Sequence, residues 1–545
     1  MRLPMTLLLS AFGPAVLAGA YIPGAGIATG GLNLYGCDTG TPPAGWVMRY
    51  VASGSNGDGS INAPYGSVNA ALAAAGSSAR AVLCVTSGDY VENISFGTRR
   101  SIVLAGGFAP GYASRAPATS PSRLVPASPS TDLIAAQSPS QLTIDGMEIS
   151  GSQRRGINIS LWDSAPPDNE VVVVRNCHVH HNGTTTNPGS SNATGGIRIG
   201  GGRHPSITVT NNLIEENSGW HHGGGLAIGA NSGNPITRDG SNDGFGTIGS
   251  QTAGIADVAF NIIRNNRIYE TSLPHGAGAA VGMNTIVDHN EFIGNDTVGN
   301  GSHFGVGGGL IAQHGTSSDT TNALIKVQNN WFVGNRAGRA GSAVFLDQTH
   351  AGYVINNVMT ANHGPAVVLV DGACSNSCAG PNGNHDRNFI TLVSNTIVRN
   401  GGAALALQDS TAHLYLNLSW DNAHNGDDIV FNGGSPGADN TLRGRDNLIS
   451  STRQELTNTL NATGIPDVVD ADLRLRNEWV NGLQASTADP SILSAFAFST
   501  SLLVSQAYPQ DWLGVPRPQA DGRWLYGAYA TTAATSDRVF ACHFD

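Results

Sequence analysis

The stretch LIKVQNNWFVGN, residues 324–335, decides the fold, because an alternating strand leads into an asparagine corner and a second asparagine follows five residues later. The pattern occurs seven times, which is far beyond chance. The six other copies are VVVVRNCHVHHN (171–182), ITVTNNLIEEN (207–217), NIIRNNRIYE (261–270), NTIVDHNEFIGN (284–295), YVINNVMTAN (353–362) and ITLVSNTIVRN (390–400). Two weaker copies follow at 413–422 and 441–450. Self-similarity of this kind predicts one long repeat array.

A glycine-rich turn and a second short strand follow most copies. They read GGIRIG (195–200), GGLAIG (224–229), GAAVGM (278–283), GGLIAQ (308–313), GSAVFLD (341–347), PAVVLVD (365–371) and AALALQD (403–409). Units this short cannot bury an apolar face alone, so they must stack as coils of a solenoid, with equivalent residues about 4.8 Å apart. The corner asparagine tolerates left-handed backbone angles, and its amide can bond to the asparagines above and below. The expected inward residues are Ile207, Val209, Ile325, Val327, Phe332, Ile390 and Leu392.

Over roughly residues 140–450, this pattern resembles the right-handed parallel β-helix proteins of the pectin-lyase-like superfamily. The resemblance implies an all-β fold, a right-handed parallel β-helix solenoid. It specifies architecture more than activity, since the fold hosts lyases, hydrolases, epimerases, phage spikes and adhesins. Residues 46–110 predict a strand, a turn and a short helix, N-capped by Ser67, that covers the first coil. Residues 513–530 are similar to the closing segment of uncharacterised secreted β-helix proteins.

The chain is expected to divide into five parts. These are a signal peptide (1–20), an N-terminal cap with the first coils (21–110), the β-helix repeats (111–450), C-terminal coils with a closing segment (451–530), and a tail (531–545). The first part, MRLPMTLLLSAFGPAVLAGA, combines one arginine, an apolar run and a small-residue end, which predicts secretion to the cell surface or beyond. No later apolar stretch approaches the roughly 20 residues of a membrane span.

Composition and cysteines limit the choice of partners. With 12% charged and 40% hydrophobic residues, the 545-residue chain is not typical of disorder. A net charge of −11 leaves no uniform basic surface, so we do not expect nucleic acid as a partner. We also expect the protein to be a monomer. Export permits disulfides, and the spacing Cys374-x3-Cys378 predicts a local one. Cys84, in an apolar run, is expected to be buried.

In the enzymes that share this fold, substrate lies along the sheet after the glycine turn. By position, the floor of such a groove would be formed by Arg198, Gly200, Ala227, Gly229, Ala280, Gly282, Ile311 and Gln313. Its small residues leave room for an extended chain such as a polysaccharide. The alternative is that these small residues lie on a solvent-exposed sheet and have no role in binding.

A column of titratable side chains is expected along one wall of the groove. His222 and His275 occupy the same position in two coils, and Arg339 and His363 the equivalent position further along. Histidine changes charge near neutral pH and arginine pairs with carboxylates, so the column could bind uronates or act as acid and base. His222, His275 and Arg198 are therefore catalytic candidates, and Arg339 a substrate-binding one. The competing interpretation is that these groups bond to turn carbonyls.

A second column is expected at the other edge of the same strand. Asp347, Asp371 and Asp409 fall at one position in three coils, preceded by His314. Neighbouring carboxylates about 5 Å apart match a retaining glycosidase pair, which makes Asp347 and Asp371 catalytic candidates. Asp409, His314 and Gln313 would contact substrate. The same column could instead hold calcium, or each aspartate could end its strand by bonding to its own turn.

The largest insertion, residues 230–257, contains RDGSNDGFG and leaves the same edge of the sheet. Asp239, Asn242 and Asp243 predict a calcium loop, although the spacing is not that of an EF-hand. Trp220, directly before two histidines, lies at the expected groove wall, where an indole can stack on a sugar ring.

Two functions are compatible with these patterns. The first is a secreted protein that binds an acidic polysaccharide, with cleavage by elimination or hydrolysis as its enzymatic form. The second is a non-catalytic adhesin or structural scaffold. The only lysine, Lys326, should face away from the groove, so a lyase would need histidine or arginine as its base. Because an acidic chain needs a bridging cation to hold an acidic glycan, calcium is the expected cofactor.

Overall fold

The computed structural model describes residues 34–474 with internal gaps. The gaps are residues 77–79, 99, 162–169, 186–193, 202–205, 221, 230–254, 270–273, 283–284, 299–304, 314–324, 348–350, 372–387, 409, 416, 421, 423–427, 433–440 and 450–467. The predicted signal peptide, the closing segment, the tail and the Cys374–Cys378 pair lie outside the described residues.

Each central coil contributes one strand to each of three faces, and neighbouring strands pair in parallel. The first face contains the strands before the asparagine corner and the second face the short strands after it; together they form one 25-stranded sheet. The third face is an 11-stranded sheet that follows the glycine turn. Among the described residues the architecture is therefore the expected all-β solenoid.

The bounds of the strands follow the repeats. First-face strands are β1 Trp46–Val51, β2 Arg80–Thr86, β5 Ser101–Phe108, β8 Gln141–Asp145, β11 Val171–Arg175, β14 Ser206–Thr210, β18 Ile255–Ala259, β22 Thr285–Asp288, β25 Ile325–Gln328, β28 Ala351–Ile355, β31 Asn388–Val393, β34 Ser410–Tyr415, β37 Thr441–Ile449 and β38 Val468–Arg474. Second-face strands are β3 Gly88–Val91, β6 Ser122–Val125, β9 Met147–Ser150, β12 His178–His180, β15 Leu213–Glu215, β19 Ile262–Arg264, β23 Glu291–Ile293, β26 Trp331–Val333, β29 Val358–Thr360, β32 Thr396–Val398 and β35 Leu418–Trp420.

The third face has equally short strands. They are β4 Ile94–Phe96, β7 Ile134–Gln137, β10 Ile157–Leu161, β13 Ile197–Gly201, β17 Leu226–Ile228, β21 Ala279–Val281, β24 Leu310–Gln313, β27 Val344–Asp347, β30 Ala366–Asp371, β33 Ala403–Gln408 and β36 Ile429–Asn432. Two further strands, β16 Ser218–Gly219 and β20 Arg267–Ile268, pair with each other between the second and third faces.

The core fills the inside of the coil with stacked apolar side chains. One position of the first face carries valine in six successive coils, each fully buried: Val174, Val209, Val258, Val287, Val327 and Val354. Phe292 and Phe332 stack on the second face with ring centroids 4.7 Å apart. The seven inward residues predicted from the sequence are all buried, which confirms the assignment of faces.

Two ladders of buried asparagines run along the corners. The ladder between the first and second faces contains Asn212, Asn261, Asn290, Asn330, Asn357, Asn395 and Asn417. The ladder after the second face contains Asn182, Asn217, Asn266, Asn295, Asn335, Asn362, Asn400 and Asn422. At each step, as at Asn330, the backbone N–H and the amide donate to the carboxamide oxygen of the next coil's asparagine, here at 2.9 and 3.0 Å.

The left-handed backbone angles lie one residue earlier than expected. The ladder asparagines do not have positive φ; the residue before the asparagine does wherever that residue is described, as in Asn211 at 54°, Phe260 at 57° and His289 at 51°. Two neighbouring residues therefore share the roles that the sequence analysis assigned to one asparagine: turning the backbone and bonding to the next coil. The first residue turns the chain at a steric cost of about 1–2 kcal/mol for a bulky side chain, and the asparagine after it bonds to the next coil.

A helix and a disulfide lie at the N-terminal end. Helix α1, Val68–Ala75, begins at Ser67, whose side chain accepts a hydrogen bond from the Ala70 N–H, as predicted. Its Leu72 packs in the main core cluster. Cys84 is buried as expected and is joined to Cys37. No helix in the described part of the chain is long and apolar enough to cross a bilayer.

Candidate functional site

The expected open floor of the third face is wrong for the central coils. Arg198, Ala227, Ala280 and Ile311 do face outward from the helix core, yet they are 3% exposed or less. The outward alanines and isoleucine belong to a separate apolar cluster together with Val306, Ala340, Phe345, Ala366, Leu369 and Ala406. A row of small residues fits a ligand groove and a packed surface equally well, so the sequence pattern alone could not separate the two. The Gln313 side chain lies outside the described residues.

The predicted pairing of His222 and His275 is confirmed. The two residues form a parallel bridge at the entrance to the third face, and their rings meet edge to face with centroids 5.4 Å apart. Both are buried, at 3% and 7% exposure. They therefore form a compact imidazole pair, which we call the histidine pair.

The histidine column does not extend as predicted. The next residues in register after His275 are Val306 and Ala340, so Arg339 is displaced by one position. His363 instead bridges Arg336. The error is a shift of one residue on β27: Arg339 lies four residues before Ala343, but the residue in register with Leu310 is Val344. Trp220 is half-buried just ahead of the histidine pair.

The two aspartates of the second column are neighbours, as predicted. Asp347 at the end of β27 pairs in register with Asp371 at the end of β30, and both are buried at 3% and 1% exposure. On the preceding strand, β24, Gln313 is in register with Asp347. On the following strands, Gln408 of β33, rather than Asp409, is in register with Asp371, and Asn432 of β36 is in register with Gln408. His314 and Asp409 lie outside the described residues. Five successive strands thus carry a carboxylate or carboxamide residue here, a set that we call the acid–amide column.

Arg198 lies in a buried polar network at the start of the third face. Its Nη1 donates to Asn158 at 3.0 Å and to Ser160 at 3.3 Å. Asn158 in turn donates to Asp132 at 2.7 Å, and Arg155 approaches the same carboxylate at 3.4 Å. Burial lowers the pKa of Arg198 to about 10; neighbouring Arg155 adds to this and Asp132 opposes it. The Asp132 carboxylate therefore compensates only part of the cost of burying the Arg198 charge.

These groups are not brought together into one constellation. Arg198 lies on β13 and Asp347 on β27, four strands along the third face, which corresponds to about 19 Å at the usual strand spacing. Arg198 therefore cannot act on the same bond as the aspartates. The calcium-loop residues Asp239, Asn242 and Asp243 lie outside the described residues.

The sequence analysis missed a cluster on the second face, made of Glu148, His178, His180 and Glu215, which we call the His–Glu cluster. His178 contacts Glu215 at 2.8 Å, and His180 contacts Glu148 at 3.3 Å. The two imidazoles stack with ring centroids 4.0 Å apart. The signal was the H-x-H spacing inside VVVVRNCHVHHN, which was used only as a copy of the repeat.

Both carboxylates of the His–Glu cluster are strongly acidic. Hydrogen bonding to His180 lowers the pKa of Glu148 to about 2, against the opposing effect of burial and with help from Arg123. For Glu215 the corresponding partners are His178 and Arg264, and its pKa is also about 2. Both groups are therefore anionic over the whole physiological pH range.

A family model and a solved structure are similar to this chain. Residues 134–325 match the family model described as right handed beta helix region. No curated protein matches the chain. A solved structure titled "Crystal structure of pectate lyase Pel9A" is similar at a TM-score of 0.33 and 16% identity, over 89% of this chain and 90% of that one. The parallel register of the described strands shows a parallel β-helix fold, and the family model that matches residues 134–325 describes its right-handed form.

Proposed function

We propose that this protein is exported and binds an acidic polysaccharide along the acid–amide column of the third face. The observation that carries the proposal is the column itself, in which Gln313, Asp347, Asp371, Gln408 and Asn432 occupy one position in five successive strands. Carboxylates and carboxamides are hydrogen-bonding partners for sugar hydroxyls, and the solenoid repeats them at about 4.8 Å. Such a row is suited to a ligand that is itself a repeating chain.

The burial of Asp347 and Asp371 gives the column chemical significance. Asp347 and Asp371 place two carboxylates side by side, which together offer oxygen ligands to a cation. Calcium takes carboxylate and amide oxygens as ligands, and it would bridge the column to the carboxylates of a uronate chain. Binding is therefore calcium-dependent in this proposal. If the bound chain is cut, a carboxylate separation near 5 Å favours hydrolysis with retention.

Export is supported by the disulfide between Cys37 and Cys84, because such bonds persist in oxidising compartments. The histidine pair and the Arg198 network lie on the same face. In this proposal they lie beside the bound chain, with Trp220 and Arg339 at its edge.

A second candidate function, a rigid surface scaffold, is favoured by one observation. The outward residues of the central third face form a packed apolar cluster rather than an open groove. A solenoid held by two long asparagine ladders and closed on this face has the properties of a stalk.

One experiment separates the two functions. The purified protein is incubated with a panel of acidic and neutral polysaccharides, with calcium and with a chelator, and binding, ultraviolet absorbance and reducing ends are followed. We expect calcium-dependent binding of at least one acidic polysaccharide and a loss of binding in Asp371→Asn. Because Asp371 is buried, Gln408→Ala at a half-buried position of the same column provides a second variant. Asp89→Asn, on an exposed side chain of the second face, is the matched control.

The outcomes differ clearly. Reducing ends without ultraviolet absorbance would indicate hydrolysis, and both signals together would indicate elimination. Binding that survives chelation contradicts the calcium bridge. No binding across the panel by a folded protein contradicts the polysaccharide proposal and favours the scaffold.

A further inference from the structure

We propose that Glu148, His178 and His180 form a binding site for a divalent transition metal that prefers imidazole ligands, with Zn²⁺ as the reference ion. One oxygen of Glu148 and one ring nitrogen of each histidine lie within 4.8 Å of one another. The site is on the second face and is independent of the acid–amide column. Two imidazoles and one carboxylate form a donor set that zinc uses in proteins, with a fourth position left for water or another ligand.

The repeat pattern explains why both histidines point the same way. His178 and His180 are two residues apart on β12, and residues two apart on a strand share a side. Val179 between them is fully buried in the core, so both imidazoles face outward. Parallel register places Glu148 of β9 beside His178, and Glu215 of β15 beside His180. The three ligands therefore lie on two adjacent strands, β9 and β12, and Glu215 lies on the next strand, β15.

The distances suit a shared ion. The Nε2 atom of His180 lies 3.3 Å from Oε1 of Glu148. Two ligand atoms bound to one tetrahedral zinc at the usual bond lengths are themselves about 3.3 Å apart. The side chains of Glu148, His178 and His180 are 12%, 26% and 17% exposed, so an ion can reach them from solvent and is still partly shielded from it.

Glu215 prepares His178 for metal binding. Its carboxylate contacts Nε2 of His178 at 2.8 Å, and a carboxylate requires that this nitrogen carry the proton. Nδ1 of His178 is then the nitrogen with a lone pair for the metal. A histidine held by an acid on one nitrogen and by a metal on the other is the usual arrangement around protein-bound zinc.

Two arginines fix the carboxylates and set the selectivity. Arg123 donates to Glu148 at 2.7 Å, and Arg264 donates to Glu215 at 2.6 Å. The two acids and two arginines have no net charge together, so the site gives little purely electrostatic attraction to a cation. Calcium and magnesium, which bind through charged oxygens, are disfavoured here. Ions that form bonds to nitrogen, such as Zn²⁺, Cu²⁺ and Ni²⁺, are favoured.

The test is a metal titration of the full-length chain after treatment with a chelator. Zn²⁺ is added in competition with a chromophoric chelator, and Co²⁺ binding is followed by its visible absorption spectrum. We expect the double variant His178→Asn/His180→Asn to lose one bound ion per chain and the corresponding Co²⁺ absorption. Glu148→Gln should weaken metal binding by at least about 10- to 100-fold, because that is the loss caused by mutating residues that only position the metal ligands.

The matched control is His289→Asn. His289 also contacts a carboxylate, Asp288, at 2.7 Å, but the described residues place no second histidine in that group. This variant should bind metal as the wild type does. Equal binding by the double variant and the wild type would overturn the proposal, as would displacement of Zn²⁺ by an equal concentration of Ca²⁺. Thermal unfolding in chelator shows whether each variant is folded, and Glu148→Gln decides alone if the double variant is not.

Discussion

Asp145 is a buried acid whose stability contribution depends on its arginine partners. Burial raises its pKa, but Arg115 at 2.7 Å and Arg175 at 2.7 Å outweigh that effect and hold the pKa below its usual value. Tyr35 also donates a hydrogen bond to this carboxylate. Both side chains of the Arg115–Asp145 pair are fully buried. The pair therefore belongs to the class in which removal of one partner leaves an uncompensated charge.

We expect Asp145→Asn to lower the free energy of unfolding by about 3–5 kcal/mol, because it leaves the buried guanidinium without its counter-charge. The measurement is a denaturant titration at neutral pH. Asp89→Asn is the control, since the Arg123–Asp89 pair is 44% and 67% exposed and should contribute about 1 kcal/mol or less. Equal effects of the two substitutions would contradict this account.

Lys326 carries a second prediction about a single side chain. It lies on β25 of the first face, away from the third face as expected from the sequence, and it is 1% exposed. Burial lowers its pKa from 10.5 to about 8, and Asp288 opposes the shift. Between these two values the unfolded chain binds more protons than the folded one, so stability must rise with pH in this window.

We expect the stability of the wild type to increase relative to Lys326→Met by up to about 3 kcal/mol between pH 8 and pH 10.5. Methionine keeps a similar length without a charge, so the variant lacks this proton linkage. Unfolding midpoints of both proteins at pH 7, 8, 9 and 10 provide the measurement. Parallel pH curves for the two proteins would show that Lys326 titrates normally.

The sequence predicted the face on which a side chain lies better than it predicted the side chain's exposure to solvent. It placed Lys326 on the correct face and paired His222 with His275, since both follow from the strand period. It did not reveal that Lys326, Arg198 and Asp371 are nearly inaccessible. Burial of an outward residue depends on chain segments remote in sequence, and the repeat pattern contains no information about them.

The asparagine corner is the element that defines each coil. Asn212 donates to the Val174 carbonyl and to Asn261, both at 2.9 Å, and it accepts the Cys177 N–H at 3.0 Å. Its removal leaves a buried backbone N–H without an acceptor. That penalty is typically about 1–3 kcal/mol, and it is larger than the loss of an average hydrogen bond.

We expect Asn212→Ala to destabilise the protein by at least about 2 kcal/mol, because several buried groups lose their partner together. Asn211→Gly is the matched control one residue earlier. Asn211 turns the chain at a φ of 54°, a conformation that glycine adopts without strain, so its replacement should be nearly neutral. The reverse order of the two effects in thermal unfolding would contradict the division of tasks within the corner.

Strands and corners were predictable because each repeats with a fixed local period. The loops between coils were not, since their lengths vary and nothing in the repeat fixes where they cross a face. Two errors are shifts of one residue in register: Ala340 takes the expected place of Arg339 in the histidine column, and Gln408 that of Asp409 in the acid–amide column. The His–Glu cluster was missed for another reason: its spacing was explained by the strand period before its chemistry was considered.

The ends determine how the whole solenoid unfolds. First-face strands in the middle, such as β22 and β25, are each paired with a neighbouring strand on both sides. At the N-terminal end β1 pairs with β2, and helix α1 packs against both. The outer side of these strands is held by a small cluster that includes Cys37, Tyr50, Phe108 and Tyr112. In a nearest-neighbour solenoid, such an end opens before the centre does.

The disulfide should therefore stabilise the N-terminal end of the solenoid rather than the whole solenoid. It joins Cys37 to Cys84 across 47 residues, and closure of a loop of that length removes entropy worth about 4 kcal/mol from the opened state. In the double variant Cys37→Ser/Cys84→Ser we expect faster hydrogen exchange in β1 and β2 and unchanged exchange in β22 and β25. Reductant should reproduce this pattern in the wild type and have no further effect on these strands in the variant. Uniform acceleration along the chain would mean instead that the coils unfold as one cooperative unit, in which the end cannot open separately.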